Sequence, residues 1–184
     1  MPAHLNVELK ARCDDPERVR RVLADAGATF HGVDAQRDVY FTVPAGRLKL
    51  RRGTIERALV FYQRGDRAES RRSAVTMARL EAMAPELDQA LEETLSAALG
   101  VHAVVEKRRE IRFVDNVKFH LDEVPGAGAF VEIEAIDLDG TRGEARLRAQ
   151  CETWQKRLGL GPDALVADSY ADFAALSSTP GRST

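Results

Sequence analysis

The sequence predicts an α+β fold: an antiparallel β-barrel forming a charged tunnel, with about three helices packed on the outside. Three observations lead there. Extended segments alternate apolar and charged residues with a period of two, so each presents one face of each kind. Turn signals separate successive segments, as antiparallel neighbours require. Three longer stretches instead carry apolar residues at helical spacing. The 184 residues suffice for one sizeable core, and no linker divides them. One domain over residues 1–176 is therefore expected, with "SSTPGRST", residues 177–184, as a disordered tail.

The elements follow in order. "NVELKAR" puts Asn6, Glu8, Lys10 and Arg12 on one face of a strand and Leu5, Val7, Leu9 and Ala11 on the other. In "DDPERVRRVLADAGA", Asp15 can cap a helix and Pro16 fits its first position; Val19, Val22, Leu23 and Ala26 form a stripe that Gly27 ends. A strand around "RDVYFTV" is followed by a turn at "PAGR". "RLKLRR" and "ERALVFYQR" are the arms of a hairpin about Gly53-Thr54. "GDRAESRRS", Gly65 to Ser73, is polar and irregular and reads as a mobile loop. "AVTMARL" is a weaker strand. "APELDQALEETLSAALG" is a second helix, with Pro85 near its start and Gly100 at its end. "AVVEKRREIRFV", "VKFHLDEV" and "AFVEIEAI" are three strands, joined by turns at Asp115-Asn116 and Pro125-Gly126. A third helix carries Leu147, Cys151, Trp154 and Leu158 at helical spacing, and "ALVADSYADFAAL" is a short closing segment.

Composition narrows the function. A net charge of -2 argues against a general nucleic-acid binder. No apolar run approaches the roughly 20 residues of a membrane helix, so no membrane partner is expected. The start "MPAHLNVELK" has no apolar h-region, so the expected location is cytoplasmic. Cys13 and Cys151 read as reduced, partly buried thiols; a disulfide is allowed but unneeded. His4, His31, His102 and His120 lack metal-ligand spacing, which argues against zinc.

The charged faces carry the chemistry. Arg47, Lys49 and Arg51 share a face against Leu48 and Leu50, and Lys107 and Arg109 point opposite to Glu106, Arg108 and Glu110. Lys118, His120 and Asp122 oppose Val117, Phe119 and Leu121; Glu132 and Glu134 oppose Val131, Ile133 and Ala135. A sheet with one wet face would account for any single strand. It does not account for dense Lys, Arg, Glu and Asp segregated by strand. Curled into a tunnel, the same faces suit a polyanion with divalent cations: bases grip phosphate oxygens, and carboxylates hold hard ions. Same-face residues two apart, such as Glu132 and Glu134, stand about 7 Å apart at the backbone, within reach of shared or neighbouring ions.

"VELKAR", "QRDVYF", "GRLKLR", "EKRR", "HLDEV", "FVEIE" and "DSYADF" together resemble the CYTH superfamily, the triphosphate tunnel metalloenzymes, in order from about Leu5 to Leu176. The resemblance implies an antiparallel tunnel barrel and either class IV adenylate cyclase activity or hydrolysis of thiamine or inorganic triphosphate. It implies Mg²⁺ or Mn²⁺ as cofactor, ATP or polyphosphate as the small-molecule partner, and allows two barrels to pair as a homodimer. Carried over by motif, Glu8, Asp122, Glu132 and Glu134 would hold metal. Lys10, Lys49, Arg51, Lys107 and Arg109 would bind the substrate phosphates, joined by Arg64 at the end of "FYQR". Lys10, Lys107 and Arg109 would also act in catalysis. Asn6 departs from the motif, which opens with a glutamate; it can offer an oxygen to a cation but no charge.

Outside the motif, His120 reads as a hydrogen-bonding partner before a base, and Tyr40, Phe41 and Tyr170 read as packing residues. Arg71 and Arg72 read as solvated charges before a closing lid. The "NVELKAR" start and "DSYADF" end favour the cyclase branch, with a triphosphatase and a non-catalytic nucleotide or polyphosphate binder as alternatives.

Overall fold

The computed structural model describes residues 4–64 and 71–172. The strands are β1 (His4–Arg12), β2 (Thr29–Phe41), β3 (Arg47–Gly53), β4 (Arg57–Arg64), β5 (Arg71–Arg79), β6 (Val101–Val114), β7 (Val117–Val124) and β8 (Gly128–Asp137). The helices are α1 (Pro16–Asp25), α2 (Glu86–Leu99) and α3 (Glu144–Arg157), with a short 3₁₀ turn at Pro162–Ala164. The strands pair antiparallel in the order β1-β5-β4-β3-β2-β6-β7-β8, and β1 pairs with both β5 and β8, which closes the barrel.

Local chemistry sets the ends of the elements. Asp15 accepts from the Arg18 N–H at 2.9 Å at the start of α1, and Gly27, at φ 73°, lets the chain leave it. Asp115 takes the left-handed conformation, φ 50°, in the turn from β6 to β7. Two strands are longer than their alternation suggests. β2 begins at Thr29, because a bulge between Phe30 and Gly32 resets its register and lets it pair with β6 as far as Phe113. β5 begins at Arg71, inside the stretch read as a loop. The rest of that stretch and the expected tail lie outside the described residues, as do the side chains of Arg64, Arg71 and Arg72.

Outward apolar side chains bury themselves under the helices. Val7, Leu9 and Ala11 of β1, Phe119 and Leu121 of β7, and Val131 and Ile133 of β8 pack under Val19 and Leu23 of α1 and Leu147, Cys151 and Trp154 of α3. Cys13 and Cys151 are both free and buried. On the opposite side Val39, Phe41, Leu50 and Leu80 meet Leu91, Leu95 and Leu99 of α2. Ion pairs orient that helix: Arg57 bonds Asp88 at 2.7 Å, and Arg37 and Arg52 reach Glu92 at 2.8 and 3.1 Å.

After the 3₁₀ turn the chain returns to one end of the barrel, where Leu165 bridges to Ala11 and the Val166 N–H donates to the Lys10 carbonyl. Val166, Tyr170 and Ala171 then pack with Tyr40, Ala103, Val105 and Phe130, closing that end with apolar surface.

Phe119 is fully buried and meets Trp154 edge-to-face at 4.8 Å, joining barrel to α3. Phe119→Ala should therefore cost about 3–5 kcal/mol. Chemical denaturation measures this, and a loss below about 1 kcal/mol would contradict the packing described.

Candidate active site

Partners in register point to the same side of a sheet, so the pairing itself shows which residues share the lumen. Lys49 and Arg51 stand opposite Tyr40 and Asp38 of β2, Gln36 of β2 opposite Lys107, and Arg109 opposite Asp122 of β7. Around the other half, His120 and Lys10 stand opposite Glu132, and Lys118 and Glu8 opposite Glu134. Glu8, Lys10, Lys49, Arg51, Lys107, Arg109, Glu132 and Glu134 all line one cavity of about 180 Å³. At about 10–15 Å³ per water in this measure, it accommodates roughly a dozen water-sized groups, enough for a phosphate chain.

Two fully buried aspartates hold the bases. Asp38 accepts from Arg51 Nε at 2.9 Å and Nη2 at 3.0 Å, and from Lys49 Nζ at 2.7 Å, with Lys107 Nζ at 3.9 Å. Burial alone would raise its pKa; Arg51, Lys49 and Lys107 outweigh burial and hold it well below the usual carboxylate range. Asp122 accepts both a 2.6 Å bond from Arg109 Nε and a bond from its Nη2, with Lys107 at 3.4 Å. Against the upward push of burial, Arg109 and Lys107 keep it ionised too. The lysines respond oppositely: burial, then Arg51, lowers Lys49 to about 8, and burial, then Arg109, lowers Lys107 to about 7.

The remaining acids divide into two kinds. Glu132 is neutralised, by Arg109 at 2.6 Å, Lys10 at 3.2 Å and His120 Nδ1 at 3.2 Å. These partners overcome the upward push of burial and hold its pKa well down. An ionised carboxylate only accepts, so His120 Nδ1 carries the proton and Nε2 is bare. Burial and then Arg109 lower His120 to about 3, which makes it neutral and a weak base.

Glu134 differs. Burial and the negative neighbours Glu8, Glu132 and Glu56 raise its pKa, despite Lys118. Directly opposite carboxylates repel, yet Glu8 faces Glu134 across the strand pair. Asn6 donates Nδ2–H to Glu134, while its own Oδ1 is buried with no hydrogen-bond partner among the described residues. Carboxylates crowded together suit a hard divalent cation, which takes oxygen ligands, so Glu8, Glu134 and the Asn6 oxygen fit one chemically. Among the described residues no three acids, histidines or cysteines already converge as a ready-made ligand set.

The expected site residues thus share one lumen, with Asp122 turned onto Arg109 and Lys107 and with the Arg64 side chain outside the description. Sequence reasoning missed Asp38, Asp34 and Glu56. Asp34, fully buried, accepts from Gln36 Nε2 at 2.7 Å, the Ile55 N–H at 2.8 Å, the Glu56 N–H at 3.1 Å and Thr54 Oγ1 at 3.1 Å. A Cβ on Gly53 would lie 2.6 Å from that carboxylate, so glycine is required there. The turn so pinned aims Glu56 inward, where it bonds Arg51 at 2.9 Å and Lys118 at 2.5 Å.

Similarity to known proteins agrees with this geometry. PH1012 protein from Pyrococcus horikoshii OT3 superposes with a TM-score of 0.74 at 27% identity, over 91% of this chain and 98% of that one. A candidate adenylate cyclase from Vibrio parahaemolyticus superposes at 0.72 and 22% identity, over 96% and 100%, and shows the shared fold. Compared with curated proteins, the sequence finds no significant match. The family model described as the CYTH domain matches residues 4–170, so this chain, whose interior gathers the bases and acids described above, belongs to the CYTH domain family.

Proposed function

We propose that the protein is a metal-dependent enzyme acting on a triphosphate, most simply a class IV adenylate cyclase converting ATP to cyclic AMP and pyrophosphate. The observation behind this reading is the lumen, where buried bases face an end at which Glu134 is crowded by other carboxylates. Lys10, Lys49, Arg51, Lys107 and Arg109 would take phosphate oxygens, joined by Arg64 as the motif suggests. Glu8 and Glu134, with Glu132 beside them, would hold Mg²⁺ or Mn²⁺. The ion, when bound, supplies Lewis-acid polarisation of phosphate oxygens. Asp122 orients Arg109 and Lys107, whether or not it also reaches an ion.

In the cyclase reaction the ribose 3′-oxygen bonds the α-phosphorus, the bond from that phosphorus to the bridging oxygen of pyrophosphate breaks, and the hydroxyl proton passes to water. Lys10, Lys107 and Arg109 balance the charge that moves onto the leaving group. Hydrolysis of a terminal phosphate is the second reading. It draws on the same bases, and His120, the one histidine among the described lining residues, is a weak base for either nucleophile. A cytoplasmic location and a homodimer of barrels belong to the same proposal.

Incubation with ATP and Mg²⁺ or Mn²⁺ should yield cyclic AMP and pyrophosphate. Orthophosphate from ATP or tripolyphosphate would transfer the assignment to the second reading, and binding without turnover would remove the enzyme. Glu8→Gln with Glu134→Gln should lower turnover by about 100-fold, while the melting temperature holds or rises as a like-charge contact disappears. Unchanged turnover in that variant would place the metal elsewhere.

A pH dependence follows from the two lysines. Bound phosphate favours their ammonium forms, so affinity is fully present below about pH 7 and falls as pH rises through about 7 to 8 and beyond. The slope is at most about tenfold per pH unit for each lysine. Tripolyphosphate titrations across this range, in buffers of different ionisation enthalpy, should show proton uptake. A flat affinity would contradict the roles of Lys49 and Lys107.

A further inference from the structure

The tunnel lining is not charged all round. Lys49 and Arg51 stand opposite Val60 and Ala58 of β4, and Val60 and Tyr62 stand opposite Met77 and Val75 of β5. By that register Ala58, Val60, Tyr62, Val75 and Met77 all point inward, and all five line the same cavity as the bases and acids. Ala58, Val60 and Tyr62 are buried at 3%, 6% and 9% exposure and pack on the half-buried Val75 and Met77. Among the described residues, this stretch of the lumen is therefore hydrocarbon, with the Tyr62 phenol at one edge and Arg79 beyond Met77.

Such a wall has no use in holding inorganic tripolyphosphate, which is hydrophilic along its length and buries nothing against carbon. Leaving apolar area wet forgoes about 25 cal/mol per Å². A guest recovers this only if it is anionic at one end and apolar at the other. The wall is also in the right place for such a guest. Val60 and Ala58 lie one strand spacing, about 4.8 Å, from Lys49 and Arg51. A molecule with its phosphates on those two bases has its next group beside β4 and β5.

We propose that Ala58, Val60, Tyr62, Val75 and Met77 seat the organic ring of an organic triphosphate, and so select such substrates over inorganic tripolyphosphate. The inference rests on the reading of the tunnel as a triphosphate site and adds the substrate class and the residues that set it. Ala58 and Val60 leave room for a flat ring, Met77 adapts to its outline, and Tyr62 bounds its edge. The wall offers few polar atoms, so it distinguishes a ring from no ring far better than one base from another.

Calorimetry with Mg²⁺ tests this, using ATP, GTP and inorganic tripolyphosphate whose bridging oxygens are replaced by methylene groups, so that none is turned over. The wild-type protein should bind both nucleotide analogues about tenfold or more tightly than the tripolyphosphate analogue, and within a few-fold of each other. Met77→Gln and Val60→Thr, which nearly preserve volume, should together remove about fivefold or more of that preference, with tripolyphosphate affinity within about twofold. Met77→Gln alone, at a half-buried position, serves if the double variant melts early.

Equal losses for all three analogues, or none, would overturn the wall as a ring seat. Tripolyphosphate bound as tightly as the nucleotides by the wild-type protein would overturn it while leaving the tunnel reading intact. Failure to bind any of them would remove both.

Discussion

Charge balance inside a closed sheet is the constraint on which the rest of the molecule depends. A barrel whose inward positions carry Lys10, Lys49, Arg51, Lys107, Arg109 and Lys118 cannot close unless something holds those cations apart and solvates them. Among the described residues Asp38, Asp122, Glu56, Glu132, Glu134 and Glu8 equal these six in number, and Asp38 and Asp122 are fully buried. Such pairs add little net stability, because desolvation consumes most of the Coulombic gain. What they do is fix geometry: Asp38 and Asp122 each hold a guanidinium at two nitrogens, so the orientation of Arg51 and Arg109 is set before any guest arrives. A lumen already near neutrality also limits its guests. A bare polyanion would leave it strongly negative, whereas a polyanion carrying its divalent ions enters with little net charge.

The stability that tolerates this interior comes from the outer face. The same strands that turn acids and bases inward turn Val7, Leu9, Phe119, Val131 and Ile133 outward under α1 and α3, and Val39 and Leu50 outward under α2. Two of the helices are also tied by ions to the barrel, α1 through Arg20 and Glu110 at 2.8 Å, and α2 through Asp88 and Glu92. The period of two thus separates labour: one face supplies the folding energy, and the other is released for binding.

That period is also why much of the site could be read from the sequence. Glu8 with Lys10, Lys49 with Arg51, Lys107 with Arg109, and Glu132 with Glu134 are same-face pairs within single strands, and alternation alone groups them. Which base meets which acid was less visible. Arg109 with Asp122 belongs to one hairpin, but Lys10 with Glu132 requires β1 to meet β8, a contact made only when the barrel closes. Asp34 and Asp38 share a face with Gln36 and Tyr40 by unbroken alternation, but single acids beside Gln and Tyr do not make the dense charged face that marks the other strands. Glu56 lies between β3 and β4, where no periodicity operates; only the Asp34-pinned turn aims it inward. The apolar wall was invisible for a different reason. "RALVFYQR" alternates one apolar residue with another, so the sequence does not say which set faces the lumen.

Asn6 shows how the same balance bears on the departure from the family motif. A glutamate there would stand close to Glu134, whose proton affinity is already raised by burial and by Glu8, Glu132 and Glu56. A further negative charge would deepen that repulsion and call for more cation to relieve it. The amide does the reverse: its Nδ2–H donates to Glu134 and orients it, and its buried Oδ1 has no hydrogen-bond partner among the described residues. The substitution therefore exchanges one charge for one hydrogen bond and one neutral oxygen donor. It lowers the electrostatic demand of this end of the tunnel without removing its donors, so a divalent ion bound there would be held less strongly and would depend more on the phosphates of a guest to complete its ligand set.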